Sequence, residues 1–157
     1  MREGTRLGID VGTVRIGVSR SDRSGFLASP LETVTRAEDG SDVARIVALV
    51  TEHEAIEVVS GLPLALSGRR TASTEDAVGF AERLAAALAP AGVEVRLVDE
   101  RLSTVTATSA LRQSGKNAKK SRTVVDQSAA AVILQHALDA ERASGRPAGT
   151  PIEPPSA

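Results

Sequence analysis

The sequence predicts an α/β domain with a five-stranded mixed sheet flanked by helices. Short segments near the start of the chain alternate apolar with small or polar residues, a pattern typical of half-buried strands. In the second half, segments with apolar residues at helical spacing alternate with strand-like segments, which favours helices packed on a sheet. The chain has 157 residues, a length typical of one domain, since single domains run to ~100–200 residues.

The first three strands are predicted close together near the start of the chain. Residues 7–10 and 16–19 both alternate in polarity. Residues 11–14 between them are short enough for a hairpin turn, in which Gly12 is predicted to supply unusual backbone angles. A third strand is predicted over residues 26–30.

A helix, a strand and a second helix follow. Ser41 is predicted to cap a helix with apolar residues at helical spacing between positions 43 and 50. A short strand over residues 56–59 stops before Pro63, and Ser73 is predicted to cap the next helix. The apolar face of that helix steps by three or four residues and comprises Ala77, Ala81, Leu84 and Leu88.

The remaining elements complete the sheet and its helical layers. Residues 93–97 alternate in polarity, which predicts a strand near the sheet edge. A short helix is predicted over 104–112, followed by a basic loop that ends at Arg122. The last helix is predicted to start near Val124. Its predicted packing face comprises Val125, Ala129, Val132, Ile133, His136 and Ala140.

The sequence predicts one folded unit and a short tail. Residues 1–144 are expected to form the domain, which Gly145 ends. Four of the seven prolines lie between positions 147 and 155. Residues 145–157 are therefore expected to be a disordered proline-rich tail.

The predicted topology brings acidic residues to one edge of the sheet. Right-handed crossovers make the first, fourth and fifth strands parallel. Asp10 ends the first strand, and Asp99 and Glu100 end the fifth. Ligands of open α/β sheets bind beyond the carboxyl ends of such strands, so we expect a site at this edge.

Asp10, Glu100 and Asp126 are the candidate metal ligands and catalytic residues. Taken singly, each residue has a simpler explanation. Asp10 could cap a turn, and Glu100 could belong to a solvated charge cluster. Asp126 could be a carboxylate in the first turn of the last helix, where the helix dipole favours it. Taken together, they could converge. Three carboxylates suit Mg²⁺, or Mn²⁺, because these ions prefer oxygen ligands, and two such ions can activate water for phosphodiester hydrolysis.

No competing zinc site is expected. The chain contains no cysteine and two histidines. His53 and His136 are far apart in sequence, and we assign them to the surface and to helix packing.

Local clusters of positive charge are the candidate nucleic-acid-binding residues. A run of five basic residues without an acid precedes Asp126, and a solvated loop is the alternative explanation for it. Two arginines follow the fourth strand, and another follows Glu100, where it could contact a phosphate or pair with Asp99. These candidates are Arg69, Arg70, Arg101, Arg112, Lys116, Lys119, Lys120 and Arg122.

Composition limits how a nucleic acid could be recognised. The net charge is −1, so there is no global positive field. The chain has no Trp or Tyr and only two Phe, which makes an aromatic stacking platform improbable. A nucleic acid would then be held through its backbone and shape.

Four motifs resemble the YqgF (RuvX) family, in its order and at its spacing. They are LGIDVGT with RIGV (residues 7–13 and 15–18), GLPL (61–64), VDERLST (98–104) and VDQSAA (125–130). The DERLST stretch is the most specific, and the resemblance covers residues from about 6 to 138. After GLPL this sequence has Ala65, Ser67 and Gly68 where the family usually has an Asn and then an Asp before a Gly.

The resemblance implies a ribonuclease H-like fold, similar to that of the Holliday-junction resolvase RuvC. Members are described as nucleases that mature the 5′ end of small-subunit ribosomal RNA, and some as junction resolvases. It also assigns the metal-ligand roles to Asp10, Glu100 and Asp126. The sequence leaves open whether RNA precursor or branched DNA is the substrate.

Two other functions are weighed against a nuclease. One is a non-catalytic RNA- or ribosome-binding module, which tight binding without cleavage would reveal. The other is a nucleotide-binding protein of the actin and Hsp70 type, which begins with a similar Asp-x-Gly-Thr loop but needs two such domains. No segment suggests a secretion signal or membrane span, so a cytoplasmic protein is expected. Ribosome association and a homodimer are both compatible with the sequence.

Overall fold

The computed structural model describes residues 1–99 and 118–152, and for residues 118–128 it describes the backbone only. The helices and strands are, in chain order, β1 (Arg6–Val11), β2 (Arg15–Ser21), β3 (Ala28–Thr35), α1 (Ser41–Glu52), β4 (Glu57–Leu62), α2 (Ala72–Leu88), β5 (Glu94–Asp99), α3 (Ala118–Ser144) and β6 (Thr150–Ile152). The predicted helix over 104–112 lies outside the described residues. No helix within the described ranges has both the length and the apolar character needed to cross a membrane.

The strands form one mixed sheet in the order β3-β2-β1-β4-β5-β6. β1 and β2 form the predicted hairpin, and β1, β4 and β5 run parallel. Both predictions are confirmed. β3 pairs antiparallel with β2 and spans Ala28–Thr35, so the predicted segment 26–30 was wrong for residues 26 and 27 and ended too early.

The sheet has six strands, where the sequence predicted five. β6 pairs antiparallel with β5, with Thr150 opposite Leu97 and Ile152 opposite Val95. β6 falls within the segment 145–157, for which a disordered tail was predicted, so that prediction was wrong for these residues. Residues 153–157 lie outside the described residues.

Two features explain why the proline-rich segment joins the sheet. Pro151 lies on the edge strand, where its missing N–H need not cost a ladder hydrogen bond. The Arg96 guanidinium donates to the carbonyl oxygens of Ala148, at 2.7 Å, and Gly149, at 2.8 Å. These bonds fix the approach to β6, which composition alone could not show.

One face of the sheet packs against α1 and α2. β1 and β2 contribute the fully buried side chains Leu7, Ile9, Ile16 and Val18. The predicted packing face of α2 is confirmed, since all four of its residues are buried: Ala77, Ala81, Leu84 and Leu88.

The caps of both helices differ from the prediction. α2 is capped by Thr71 and not by Ser73, because the Thr71 hydroxyl accepts from the Thr74 amide while the Thr74 hydroxyl accepts from the Thr71 amide. α1 begins after Gly40, which has a φ of 84° and provides no side-chain cap. Ser41 is therefore the first helical residue and not the cap.

α3 covers the other face of the sheet, here called the α3 face. The helix begins at Ala118, earlier than the predicted Val124. Its buried positions are rotated from the predicted face, since His136 and Ala140 are exposed. The buried residues of its described side chains are Ala129, Ala130, Ile133, Leu134, Ala137, Leu138 and Glu141.

Candidate active site

Asp10 is a half-buried acid near the end of β1. It pairs with Gly17 of β2 and precedes the hairpin turn. Gly12 in that turn donates its amide to the Arg15 carbonyl oxygen at 2.9 Å. A Cβ at Gly12 would lie 2.7 Å from the same oxygen. Close approach and not a positive φ therefore requires glycine here, which corrects the prediction of unusual angles.

Alternation along β1 places Asp10 on the α3 face. Leu7, Ile9 and Val11 point into the core under α1 and α2. Gly8, between them, faces α3, since a Cβ there would lie 2.7 Å from the Leu134 Cβ. Asp10 is two residues further along β1 and so shares the face of Gly8.

α3 lies almost directly on β1 and β2. A Cβ at Gly8 would also lie 2.9 Å from the Ala130 carbonyl oxygen, and the Ser19 hydroxyl donates to that same oxygen at 2.8 Å. Further along α3, Glu141 accepts from Arg6 at 3.1 Å. Because Arg6 precedes Gly8 while Glu141 follows Ala130, the two elements run in opposite directions.

The ends of β1, β4 and β5 form the carboxyl edge of the sheet: Asp10, Val11, Gly61, Leu62, Val98 and Asp99. The register pairs Ile9 with Ser60 and Leu62 with Asp99, so the three ends are level. The prediction that Asp10 and Asp99 share one edge is confirmed, and Asp99 is exposed.

Arg36 supports the hairpin turn that follows Asp10, a role that sequence reasoning missed. Its guanidinium donates to the Gly12 carbonyl oxygen at 2.8 Å and to Asp76 of α2 at 2.7 Å. It also lies 5.4 Å from the centre of the Phe80 ring. The hydrogen bonds from Arg36 hold the pKa of Asp76 below its usual range. An isolated arginine after a strand gives no sequence signal for this role.

The other two predicted ligands are less fully described. Glu100 lies outside the described residues, and Asp126 lies on α3, of which only the backbone is described there. Asp126 was predicted in the first turn of the last helix. Because the helix begins at Ala118, Asp126 is two turns further in, and the dipole explanation for it was wrong.

The predicted basic loop is partly helical. Lys119, Lys120 and Arg122 belong to the first turns of α3, so the prediction of a loop was wrong for them. Their side chains, like the residues Arg101, Arg112 and Lys116, lie outside the described part of the structure.

Arg69 and Arg70 are exposed in the loop between β4 and α2, which leaves the carboxyl edge. Arg70 donates to both carboxylate oxygens of Glu75, at 2.6 Å and 3.0 Å. These bonds hold the pKa of Glu75 below its usual range. Arg70 is thus engaged in an ion pair, and Arg69 is the better placed of the two for a phosphate.

Among the side chains that the structure describes, neither histidine forms a metal site with the acids. His53 accepts from Arg20 at 3.4 Å, at the opposite end of β1 from Asp10. His136 is exposed, which corrects its predicted packing role; it lines a cleft of about 410 Å³ with Asp99. Within the described ranges no three His, Cys, Asp or Glu side chains are grouped as metal ligands.

Comparison with solved structures identifies the class of fold. RuvC of Thermus thermophilus, solved with a Holliday junction substrate, matches with a TM-score of 0.59 and 21% identity, over 95% of this chain and 99% of that chain. A second Thermus thermophilus RuvC structure matches with a TM-score of 0.56 and 20% identity, over 94% of this chain and 99% of that one. The protein therefore has the predicted ribonuclease H-like fold.

Sequence comparison identifies the family. A family model described as RuvX, Holliday junction resolvase, matches residues 4–140. A relative from Leifsonia xyli is 66% identical, covering 98% of this chain and 97% of its own. One from Streptomyces coelicolor is 50% identical, covering 98% of this chain and 90% of its own. Both carry the name "Putative pre-16S rRNA nuclease".

The chain belongs to the RuvX family, and the resemblance found in its motifs is confirmed. It is a nuclease, an enzyme that hydrolyses phosphodiesters. This result favours the nuclease over the two alternatives weighed from the sequence.

Proposed function

We propose that the protein is a metal-dependent endonuclease in which Asp10, Glu100 and Asp126 hold Mg²⁺ or Mn²⁺ against a phosphodiester. One observation carries this proposal. Asp10 is a half-buried carboxylate at the carboxyl edge, on the face that α3 covers.

The path of α3 supports the role of Asp126. Gly8 meets α3 at Ala130. Asp10 is two residues beyond Gly8, a step of about 6.7 Å along a strand. Position 126 is four residues before Ala130, a step of about 6 Å along a helix. Since β1 and α3 run in opposite directions, both steps lead the same way, and the two acidic positions stay together.

The end of β5 supports the role of Glu100. Arg96 and Val98 of β5 face α3, and Glu100 directly follows the end of this strand in the sequence. β4 lies between β1 and β5, and Gly61 of β4 is level with Asp10 and Val98. Because glycine has no side chain, Gly61 places no side chain between Asp10 and the end of β5. A glutamate is long enough to cross much of the ~10 Å between strands two apart.

This donor set fits a magnesium or manganese ion. Carboxylate oxygens are hard ligands that such ions prefer, and the acids leave positions for water and substrate phosphate. When bound, the ions supply Lewis-acid chemistry that makes water a better nucleophile and stabilises the leaving oxygen. The half-buried position of Asp10 keeps its carboxylate in a region of lower dielectric, where it holds a cation more strongly.

Basic residues around the carboxyl edge supply the phosphate contacts. Arg69 is exposed in the loop that leaves this edge. We also assign phosphate binding to the residues before Asp126 along the chain and to the arginine after Glu100. These residues are Arg101, Lys116, Lys119, Lys120 and Arg122.

We propose pre-16S ribosomal RNA as the substrate, because the curated relatives named above carry that name at up to 66% identity. The protein would then act in the cytoplasm on ribosomal precursors and associate with them. A Holliday junction is the second candidate, favoured by the description of the family model.

The test is cleavage by pure protein of a pre-16S RNA fragment and of a four-way DNA junction, with Mg²⁺ or Mn²⁺. Wild-type protein should cleave at least one, and Asp10→Asn, Glu100→Gln and Asp126→Asn should each lose activity while remaining folded. Asp139→Asn is the matched control, since Asp139 is an exposed α3 acid that pairs with Arg142. Tight binding without metal-dependent cleavage would instead show a binding module, and full activity of Asp10→Asn would exclude the proposed site.

A further inference from the structure

The loop between β2 and β3 is built around Asp22. The Asp22 carboxylate accepts from the amides of Phe26, at 2.8 Å, and Leu27, at 3.0 Å. Gly25 has a φ of 71° and closes the turn with a bond from its amide to the Asp22 carbonyl oxygen at 3.1 Å. The loop is therefore held in one conformation by its own hydrogen bonds.

The same loop is fastened to α3. The Gln135 amide group donates to the Phe26 carbonyl oxygen at 2.8 Å and accepts from the Ala28 amide at 2.9 Å. The Arg142 guanidinium donates to the Gly25 carbonyl oxygen at 2.6 Å and lies 4.5 Å from the centre of the Phe26 ring. The second half of the loop is thus anchored to α3.

This rigid loop presents two apolar side chains to solvent. Phe26 is 60% exposed and Leu27 is 68% exposed. The other phenylalanine, Phe80, is fully buried. Adjacent exposed apolar residues on an anchored loop are typical of a recognition site, because the fold gains little from leaving them in water.

Two arginines line the same cleft as these apolar side chains. The cleft has a volume of about 440 Å³, and Arg20, Arg23, Phe26 and Leu27 are among its lining residues. Asp22 also lines it, but its carboxylate is engaged by the loop amides. Arg20 contacts His53, and within the described part of the chain neither arginine forms an ion pair with an acid. The cleft therefore combines positive charge with an aromatic ring.

We propose that this cleft binds an unpaired nucleotide of the substrate strand, with phosphate held by Arg20 and Arg23 and the base packed on Phe26 and Leu27. Cations beside an exposed aromatic ring are the usual means of holding single-stranded nucleic acid. The proposal rests on the proposed nuclease function, and it adds a binding site away from the reacting atoms. Arg20 pairs with Leu7, three residues or about 10 Å from Asp10 along β1.

The position predicts an effect on binding and not on chemistry. Phe26→Ala should raise the Kd for a substrate with a single-stranded extension by roughly tenfold, a typical loss for one stacked base. A substrate too short to reach the cleft should bind both proteins equally.

The test measures binding by fluorescence anisotropy in an Asp10→Asn background, so that cleavage plays no part. The probes are a structured RNA with a single-stranded extension and the same RNA with abasic sites throughout the extension. Phe26→Ala should weaken binding of the first probe only. Replacing Arg20 and Arg23 with Ala should weaken binding of both and reduce the salt slope by about 1.4, since each single-strand phosphate contact contributes about 0.7.

Two controls and two contrary outcomes complete the test. Phe26→Leu keeps an apolar side chain without an aromatic ring and should restore only part of the affinity. Arg45→Ala is the control for the arginines, since Arg45 is exposed and pairs with Glu32. Equal loss on both probes with Phe26→Ala would overturn base packing. No loss on either probe, with Phe26→Ala instead changing self-association in sedimentation, would assign the cleft to a protein partner. If the wild-type protein does not cleave these substrates, only the proposed function is refuted, because the binding measurement does not depend on cleavage.

Discussion

Gly8 sets how closely α3 approaches the sheet. A Cβ at this position would lie 2.6 Å from the Ser19 hydroxyl and 2.9 Å from the Ala130 carbonyl oxygen. α3 could accommodate this Cβ only by moving away from β1. Since α3 carries Asp126, such a movement would also separate the proposed ligands.

Gly8→Ala should therefore lower the free energy of unfolding by about 3 kcal/mol, a large overpacking effect, and reduce cleavage in the fraction that folds. Urea denaturation and a metal-dependent cleavage assay measure the two effects. Gly79→Ala is the matched control, because the nearest atom to a Cβ there is 3.7 Å away on the flexible Arg83 side chain. It should stabilise α2 by about 0.5–1 kcal/mol. Equal stability of the two variants would show that α3 is not so close to β1.

Glu141 is one of two acids in an ion-pair cluster at the start of β1, at the opposite end of the strand from Asp10. It accepts from Arg2 at 2.7 Å and from the fully buried Arg6 at 3.1 Å. Hydrogen bonds from Arg2 lower the pKa of Glu141 to about 2. Glu57, which also pairs with Arg2, differs, because burial raises its pKa.

A lowered folded-state pKa means that Glu141 stabilises the protein above the unfolded pKa of about 4.5 and loses this effect as pH falls toward 2. Glu141→Gln should cost about 3 kcal/mol at pH 7, from a pKa shift of that size. The difference from wild type should shrink through the range from pH 4.5 to 2. Urea denaturation at several pH values measures it, with Asp139→Asn as an exposed control on the same helix. A difference that is constant with pH would contradict the ion-pair explanation.

Some residue-scale features could be predicted from the sequence and others could not. Asp10 follows an apolar strand, and that local pattern was enough to place it at the carboxyl edge. The support from Arg36 and the cluster around Glu141 join residues far apart in sequence, and Arg6 and Glu141 are 135 positions apart. No periodicity or motif encodes such pairs, so sequence reasoning missed them.

Among the elements, β6 was the main surprise. Composition predicted disorder because prolines are frequent there, but strand addition at an edge depends on a few backbone hydrogen bonds. Gly149 makes this addition possible. It has a φ of 75°, and a Cβ there would lie 2.2 Å from the Leu97 carbonyl oxygen.

Gly149→Ala should detach β6 and leave β5 as the edge strand. Hydrogen exchange at the amides of Val95 and Leu97 should then accelerate. Gly145→Ala is the matched control, since Gly145 has a φ of 76° but nothing within 4 Å of a Cβ. The free energy of unfolding of Gly145→Ala should fall only by the strain of the positive φ, about 1 kcal/mol. Unchanged exchange at β5 in Gly149→Ala would mean that β6 is not held by this contact.

Helix faces were predicted well where the pattern was regular. The four residues predicted for the packing face of α2 step by three or four and are all buried, although Thr74, Phe80 and Ala85 are buried as well. α3 was harder, because it is rich in alanine, and small residues give a weak contrast between its faces. Its buried face includes Ala130, which contacts the sheet through a backbone oxygen, a contact that side-chain hydropathy does not report.

At the scale of the whole molecule, the net charge of −1 argues against strong nonspecific capture of nucleic acid. We therefore expect recognition to depend on backbone geometry near the carboxyl edge and on local arginines and lysines, with the proposed cleft at Phe26 adding affinity only for a single-stranded extension. Structured or branched substrates should bind better than unstructured strands of the same length. Competition at fixed salt between a four-way junction, a hairpin RNA and an unstructured oligonucleotide measures this order. Tightest binding of the unstructured strand would contradict it.

The long sequence separation between β1 and α3 also determines when, during synthesis of the chain, the proposed metal site can form. Ser19 and Ala130, which hold α3 to the hairpin, are 111 residues apart. While the chain is being made, β1 and β2 therefore leave the ribosome long before the helix that covers them, and contacts so distant in sequence form late. Until then the proposed ligand Asp126 is not beside Asp10. With the metal site proposed above, a half-made chain is inactive, and nuclease activity begins only once nearly the whole protein has been translated.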